Sequence, residues 1–237
     1  MMWCYECDLP KAGDVFSGEG GVSKGLMKAG FCVTAVDNDR NRLKRNPAPH
    51  KVHGDAIEFI LARGHGFVFL SCSPTCTGYS RGTAAIPDRL AKYDRLIAVT
   101  REALLTIGRP YVIENVEDAK GELRDPQMLC GRMFGLSAVD TDGVKLVMDR
   151  HRVFEATFDI EPPEHPVHGD EWVAGAYGGA RRDKYEAKYV RKGGYVPPDK
   201  AVVEELLGID WMTWKGLYLS IPPVYAEHIG RRAMELV

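Results

Sequence analysis

No apolar run in the sequence approaches the roughly 18 residues that a membrane-crossing helix needs, so no such helix is expected. The opening residues, Met1 to Asp8, lack a basic stretch followed by an apolar core, so no secretory signal is read there. Cysteine is sparse: six residues, at 4, 7, 32, 72, 76 and 130, are scattered along 237. That pattern excludes a disulfide framework and predicts a reducing, intracellular setting, cytoplasmic or nucleoid-associated. Only Cys4 and Cys7 have CxxC spacing. Without a second pair this is a weak zinc signal, small buried cysteines are the plainer reading, and no metal is expected. An excess of one charge is also missing, the formal net charge being -2. A polyanion partner is therefore not announced by the whole chain, although a local basic face would suffice. There is no internal repeat and no low-complexity tract. What is present, 45% hydrophobic and 27% charged residues, suits one large domain, or one with a small appendage.

The first half alternates strand and helix signals. Lys11 to Asp39 reads as strand, glycine turn, helix and strand. Val52 to Asp55 reads as a third strand and Ala56 to Ala62 as a helix. Phe67 to Cys72 is apolar enough for a central strand. Pro87 to Ile107 carries apolar residues at intervals of three and four, a helix that Gly108-Arg-Pro110 ends before a strand at Tyr111 to Ile113. Met128 to Gly135 reads as a short helix and turn, with strands at Lys145 to Met148 and Arg152 to Phe158. Helices are expected at Ala201 to Leu207 and Tyr225 to Leu236. The order argues for a layered α/β fold with a largely parallel sheet. Expected divisions are a catalytic α/β domain at 1–158, a small loop-rich target-recognition region at 159–200, and a segment at 201–237 that returns to the catalytic domain.

Several groups of residues carry chemistry. Gly18, Gly20 and Gly21 follow a strand and open a helix, where glycine permits close backbone approach to a ligand. Asp37 ends the next strand, as an acid for a ribose diol would. The spacing is not that of the dinucleotide fingerprint; a nucleoside-containing cofactor and a plain tight turn both remain open. Asp55 either meets an adenine amino group or caps a helix. Cys76 lies in the polar stretch Ser73-Pro-Thr-Cys-Thr-Gly-Tyr-Ser80, not in an apolar run, which favours exposure. A helix beginning after it would favour the thiolate. Thr75, Thr77, Tyr79 and Ser80 offer hydroxyls for a phosphate or base. Glu114 directly follows apolar residues, so burial should raise its pKa, unless it is a paired structural acid. Asn115 could hold the Cys76 loop by amide hydrogen bonds. In a strand, Arg150 and Arg152 would share one face, suited to a phosphate or base carbonyl or to a salt-bridged edge. Arg181 to Lys192 holds six basic and two acidic residues, with Tyr185 and Tyr189 among them. A nucleic-acid backbone and a wet surface are both compatible with it.

Taken together, these segments resemble the cytosine-C5 DNA methyltransferases, over about residues 12 to 152 and 201 to 235. Asp14-Val-Phe-Ser-Gly-Glu-Gly-Gly21 is similar to that family's first motif, Ser73 to Ser80 to its nucleophile motif, and Glu114-Asn115-Val116 to its Glu-Asn-Val signature. Arg150 and Arg152 match its two arginines, with Met148 where a glutamine is usual. Ser220 to Ala226 is similar to its last motif. Threonines replace a proline and a glutamine on either side of Cys76, and Leu219 replaces an asparagine.

The resemblance implies a Rossmann-like S-adenosylmethionine-dependent methyltransferase sheet with a small recognition insert. It implies Cys76, Glu114, Arg150 and Arg152 as catalytic. It implies Phe16, Ser17, Gly18, Gly20, Gly21, Asp37, Asn38, Asp55, Pro74 and Ser220 around S-adenosylmethionine. Double-stranded DNA, with a flipped cytosine, would be the partner, met by Ser80, Arg181, Arg182, Lys184, Lys188 and Arg191. No obligate protein partner and no membrane are implied.

Overall fold

A computed structural model describes residues 8–79, 95–176 and 195–237. Its first part alternates β1 (Lys11–Val15), α1 (Gly21–Lys28), β2 (Cys32–Asp37), α2 (Arg40–Arg45), β3 (His50–His53), α3 (Ala56–Arg63), β4 (Phe69–Cys72), α4 (Ile97–Ile107) and β5 (Tyr111–Val116). The remainder supplies β6 (Gln127–Leu129), β7 (Ser137–Val139), β8 (Lys145–Val147), β9 (Arg152–Ala156), β10 (Trp172–Val173), α5 (Lys200–Leu207), α6 (Trp214–Leu219) and α7 (Pro223–Met234).

Seven strands form one sheet in the order β3-β2-β1-β4-β5-β9-β6. The first five run parallel, while β9 is antiparallel to both β5 and β6. This is a Rossmann-like α/β sheet of the expected class. Its central strands are buried on both faces, which is why they read as apolar runs. Successive residues point to opposite faces. Phe69 and Val112 join a core with Leu26 of α1 and with Tyr225 and Ile229 of α7. Leu70 and Ile113 join a second core with Ile60 of α3 and Leu104 of α4.

A three-stranded sheet, β10-β8-β7, lies apart from the large one. Leu146, Val173, Leu206, Leu207 and Leu217 are buried there, and all but Val173 belong to one core joining this sheet to α5 and α6. This smaller core takes residues from both sides of the divisions expected at 158 and 200.

Three local expectations change. The third strand ends at His53 because Asp55 leaves it to cap α3, accepting hydrogen bonds from the backbone N–H groups of Ile57 and Glu58. Met128 to Gly135 is a strand followed by a short 3-10 turn, as Gln127–Leu129 pairs with β9. Helix α2, which the sequence reading omits, is capped by the Asp39 carboxylate and buries only Leu43. The described part of the helix expected from Pro87 is Ile97–Ile107; residues 80–94 lie outside the described residues.

Candidate active site

Strand order reverses between β1 and β4, whose connections leave in opposite directions. In open α/β sheets that crevice, beyond the carboxyl ends of the strands, is where ligands bind. Val15 pairs with Val36 on one side and Cys72 on the other, and Cys72 pairs with Ile113. Four strands therefore reach one level at Val15, Val36, Cys72 and Ile113, and Phe16, Asp37, Ser73 and Glu114 follow directly, the last of them still within β5.

The chain turns sharply after β1, with positive φ at Phe16 (62°), Gly18 (54°) and Gly20 (91°). Gly20 precedes α1 in a left-handed conformation that glycine adopts without penalty. Gly21 is required for another reason: a Cβ there would run into the carbonyl oxygen of Ile221. The turn is held from β2, since Asp37 accepts from Gly18 N and Asp39 N, each at 2.8 Å.

A cavity of about 410 Å³ opens over these strand ends. That volume lies within the usual range for small-ligand sites, roughly 300–1,000 Å³. Phe16, Ser17, Gly18, Gly20, Gly21, Asp37 and Asn38 line it from the first two strands. Pro74 and Cys76 enter after β4, Glu114 from β5, Arg152 from β9 and Ser220 from the segment before α7.

Within it, Arg152 Nε lies 3.1 Å from Glu114 Oε1, both side chains being about nine-tenths buried. Burial pushes the Glu114 carboxyl above its ordinary value, and the guanidiniums of Arg152 and Arg150 work against that rise. Burial also pushes the Cys76 thiol up; the Glu114 charge adds to the shift and Arg152 opposes it. Cys76 to Tyr79 form a turn, closed by Tyr79 N donating to Cys76 O at 2.9 Å, and residues 80–94, on which the expected helix start after Cys76 falls, lie outside the described residues. Asn115 does hold this loop, donating from Nδ2 to Pro74 O at 3.0 Å.

Other expected residues stand elsewhere. Arg150 precedes β9 with φ 36°, so it does not share a strand face with Arg152. Its buried guanidinium donates to the backbone carbonyls of Ser220, Tyr218 and Ala176, fixing the segment before α7. Asp55, a helix cap, does not line the cavity. The Tyr79 hydroxyl is buried and accepts from Ile97 N at 3.1 Å, so it serves α4, not a ligand. Ser80, Arg181, Arg182, Lys184, Lys188 and Arg191 lie outside the described residues.

Two acids in the cavity wall are not anticipated by the sequence reading. Asp14 is buried within β1, and Ser23 Oγ donates to its Oδ2 at 2.5 Å. Burial, with the Asp37 charge adding a little, pushes this carboxyl up to about 7. Glu19 accepts from Thr213 N and Thr213 Oγ1, both at 2.7 Å, tying the glycine turn to α6. Asp14 is legible in hindsight, as an acid interrupting an otherwise apolar central strand.

The same fold is found in solved structures of proteins described as methyltransferases. A prophage-encoded E. coli protein assigned as a DNA modification methyltransferase superposes with a TM-score of 0.57 at 15% identity, over 96% of this chain and 99% of that one. The Dnmt2 methyltransferase of S. pombe gives 0.55 at 13% identity, covering 96% and 98%. The Entamoeba histolytica methyltransferase EhMeth gives 0.52 at 12%, covering 95% and 98%. No protein-family model matches the sequence, and no curated protein sequence matches it.

Proposed function

We propose that this protein transfers a methyl group from S-adenosylmethionine to C5 of cytosine in DNA, through a covalent adduct with Cys76. The observation that carries the reading is one cavity lined by Cys76, the Glu114–Arg152 pair and a glycine turn at the carboxyl ends of parallel strands.

The cavity wall suits the cofactor. Asp14 Oδ1 and Ser17 Oγ are buried with no hydrogen-bond partner among the described residues, as expected of groups that a polar ligand completes. Phe16 would pack on the adenine, with Asp37 and Asn38 at the ribose and Ser17 to Gly21 along the remainder. When bound, S-adenosylmethionine supplies an electrophilic methyl.

The residues divide the work on the base. The Cys76 thiolate, once its proton has left, attacks C6 of a cytosine flipped from the duplex, and the ring electrons become available at C5. Glu114, whose proton affinity burial raises, takes up a proton as the base binds, donates to N3 and offsets the charge that develops there. Arg152 keeps Glu114 oriented and reaches toward the base oxygen. After C5 is methylated, its proton passes to water, the C6–S bond breaks with its electron pair returning to sulfur, and the N3 proton returns to Glu114. Arg150 supports this from outside, by holding Ser220.

Incubation with methyl-labelled S-adenosylmethionine and duplex DNA tests the proposal. Label should enter cytosine and vanish with Cys76→Ala. DNA containing 5-fluorocytosine should trap a covalent complex through the same cysteine. Label entering only transfer RNA or free cytidine nucleotide would overturn the DNA assignment, and no label in any acceptor would overturn the chemistry.

A further inference from the structure

Outside the cavity, four side chains from three separate segments converge at the antiparallel edge of the large sheet. Cys130 follows β6, His151 directly precedes β9, and His165 and His168 lie in the connection between β9 and β10. One ligand atom from each, a sulfur and three ring nitrogens, lies within 4.8 Å of all the others. None of the four lines the cavity. Cys130 Sγ is 3.5 Å from His168 Nε2. The imidazoles of His151 and His168 stack at 5.2 Å and 13°, and that of His165 lies 4.9 Å from His168.

We propose that Cys130, His151, His165 and His168 hold a structural zinc ion. A borderline-soft thiolate with three imidazoles is a donor set of the zinc type, and four protein ligands leave no open position for a reacting molecule. Tetrahedral zinc places its ligand atoms about 3.3–3.8 Å apart, so the observed spread needs to contract by only about 1 Å.

Two further observations point inward. His151 Nε2 is buried with no hydrogen-bond partner among the described residues, which is costly unless something occupies the space it faces. The outer nitrogens are also engaged as they are around bound zinc: His168 Nδ1 faces Asp149 Oδ2 at 3.4 Å, and His151 Nδ1 faces Glu117 Oε2 at 3.7 Å. Carboxylates in that position fix the ring and leave Nε2 for the metal. Asp149 is itself fixed by Arg132 Nε at 2.5 Å. A bare stack of histidines explains neither the orphaned nitrogen nor the paired carboxylates.

The ion would fasten residues 157–171, which contain no helix or strand, to the sheet edge. It would do so at the residue next to Arg152, so it positions the backbone of a cavity-lining arginine without touching the substrate. The expectation of no metal would then be wrong for this chain. The assignment does not depend on methyl transfer.

The test is metal content of the untagged full chain by mass spectrometry. Wild-type protein should carry about one zinc per chain, and Cys130→Ser and His165→Ala should each lower it at least about tenfold. His165 is exposed, so its substitution leaves the core intact. Refilling with cobalt should give the absorption of a tetrahedral thiolate site, with the thiolate band missing in Cys130→Ser. Wild-type protein that stays empty after incubation with zinc sulfate, or zinc unchanged in both variants, would overturn the proposal.

Discussion

The buried amide of Asn115 and the carbonyl of Pro74 are joined at 3.0 Å, so β5 holds the loop whose cysteine follows two residues later. Glu114 precedes that asparagine. One strand thus presents the acid and fixes the position of the loop that carries Cys76. Asn115→Ala should lower kcat by about ten- to a hundredfold, because small misplacements of a reacting group are that costly. Affinity for S-adenosylmethionine should hardly change. Steady-state kinetics beside direct cofactor titration separate the two.

Cys76 alkylation should report its charged neighbours. Its thiol is raised above 9.0 by burial and by Glu114, and lowered by Arg152. Glu114→Gln removes a like charge and should shift the pH dependence of iodoacetamide labelling downward. Arg152→Ala should shift it upward. Peptide mass spectrometry reads labelling at Cys76 alone, and shifts of the same sign in both variants would refute the electrostatic account.

Asp14 should couple cofactor binding to pH. Its folded value, about 7, stands above the ordinary 3.8. The stability it contributes is therefore complete below 3.8 and lost as pH rises through about 7. A cationic sulfonium ligand in the cavity favours the ionised carboxylate, so affinity should strengthen toward pH 7 and then level. Asp14→Asn should remove both the slope in stability and the slope in affinity. Calorimetric titration across pH 5 to 8 checks the second, at roughly the scale of one proton per ligand.

Glu155 carries a structural prediction. Its carboxylate accepts two bonds from Arg101, at 2.6 and 2.7 Å, with further bonds from Tyr111 Oη and Arg124 N. Glu155→Ala leaves Arg101 buried without its partner and should cost about 3–5 kcal/mol. These bonds hold the Glu155 carboxyl below 4.5. Its stability is therefore present above 4.5 and lost as pH falls through the lower folded value. Urea denaturation should show the gap between wild type and variant narrowing in that acid range.

The central strands were legible because burial on both faces leaves an apolar run, as at Phe69–Cys72. Two cavity-lining side chains are legible beside these runs, Glu114 because it interrupts one with an acid and Cys76 because it lies in the polar stretch that follows another. Elements set by long-range contacts were not. Arg150 looked like a strand partner of Arg152, but its φ of 36° turns it toward carbonyls some 70 residues away. Helix α2 was missed because Arg40–Arg45 offers a single buried apolar residue, although Asp39 is an ordinary cap signal. The Cys130 group draws on three segments, and only His165-Pro-Val-His168 hints at it locally.

The bonds from Glu19 to Thr213 span 194 residues, and Gly21 is closed upon by Ile221. A ribosome that has just added Glu114 has made both Cys76 and its acidic neighbour, yet a wall of the cavity is still to be translated. Contacts of such separation form late and slowly. Ligand capture by the cavity should therefore wait until residues 211–225 have emerged, so that during synthesis Cys76 is made well before the pocket around it can close.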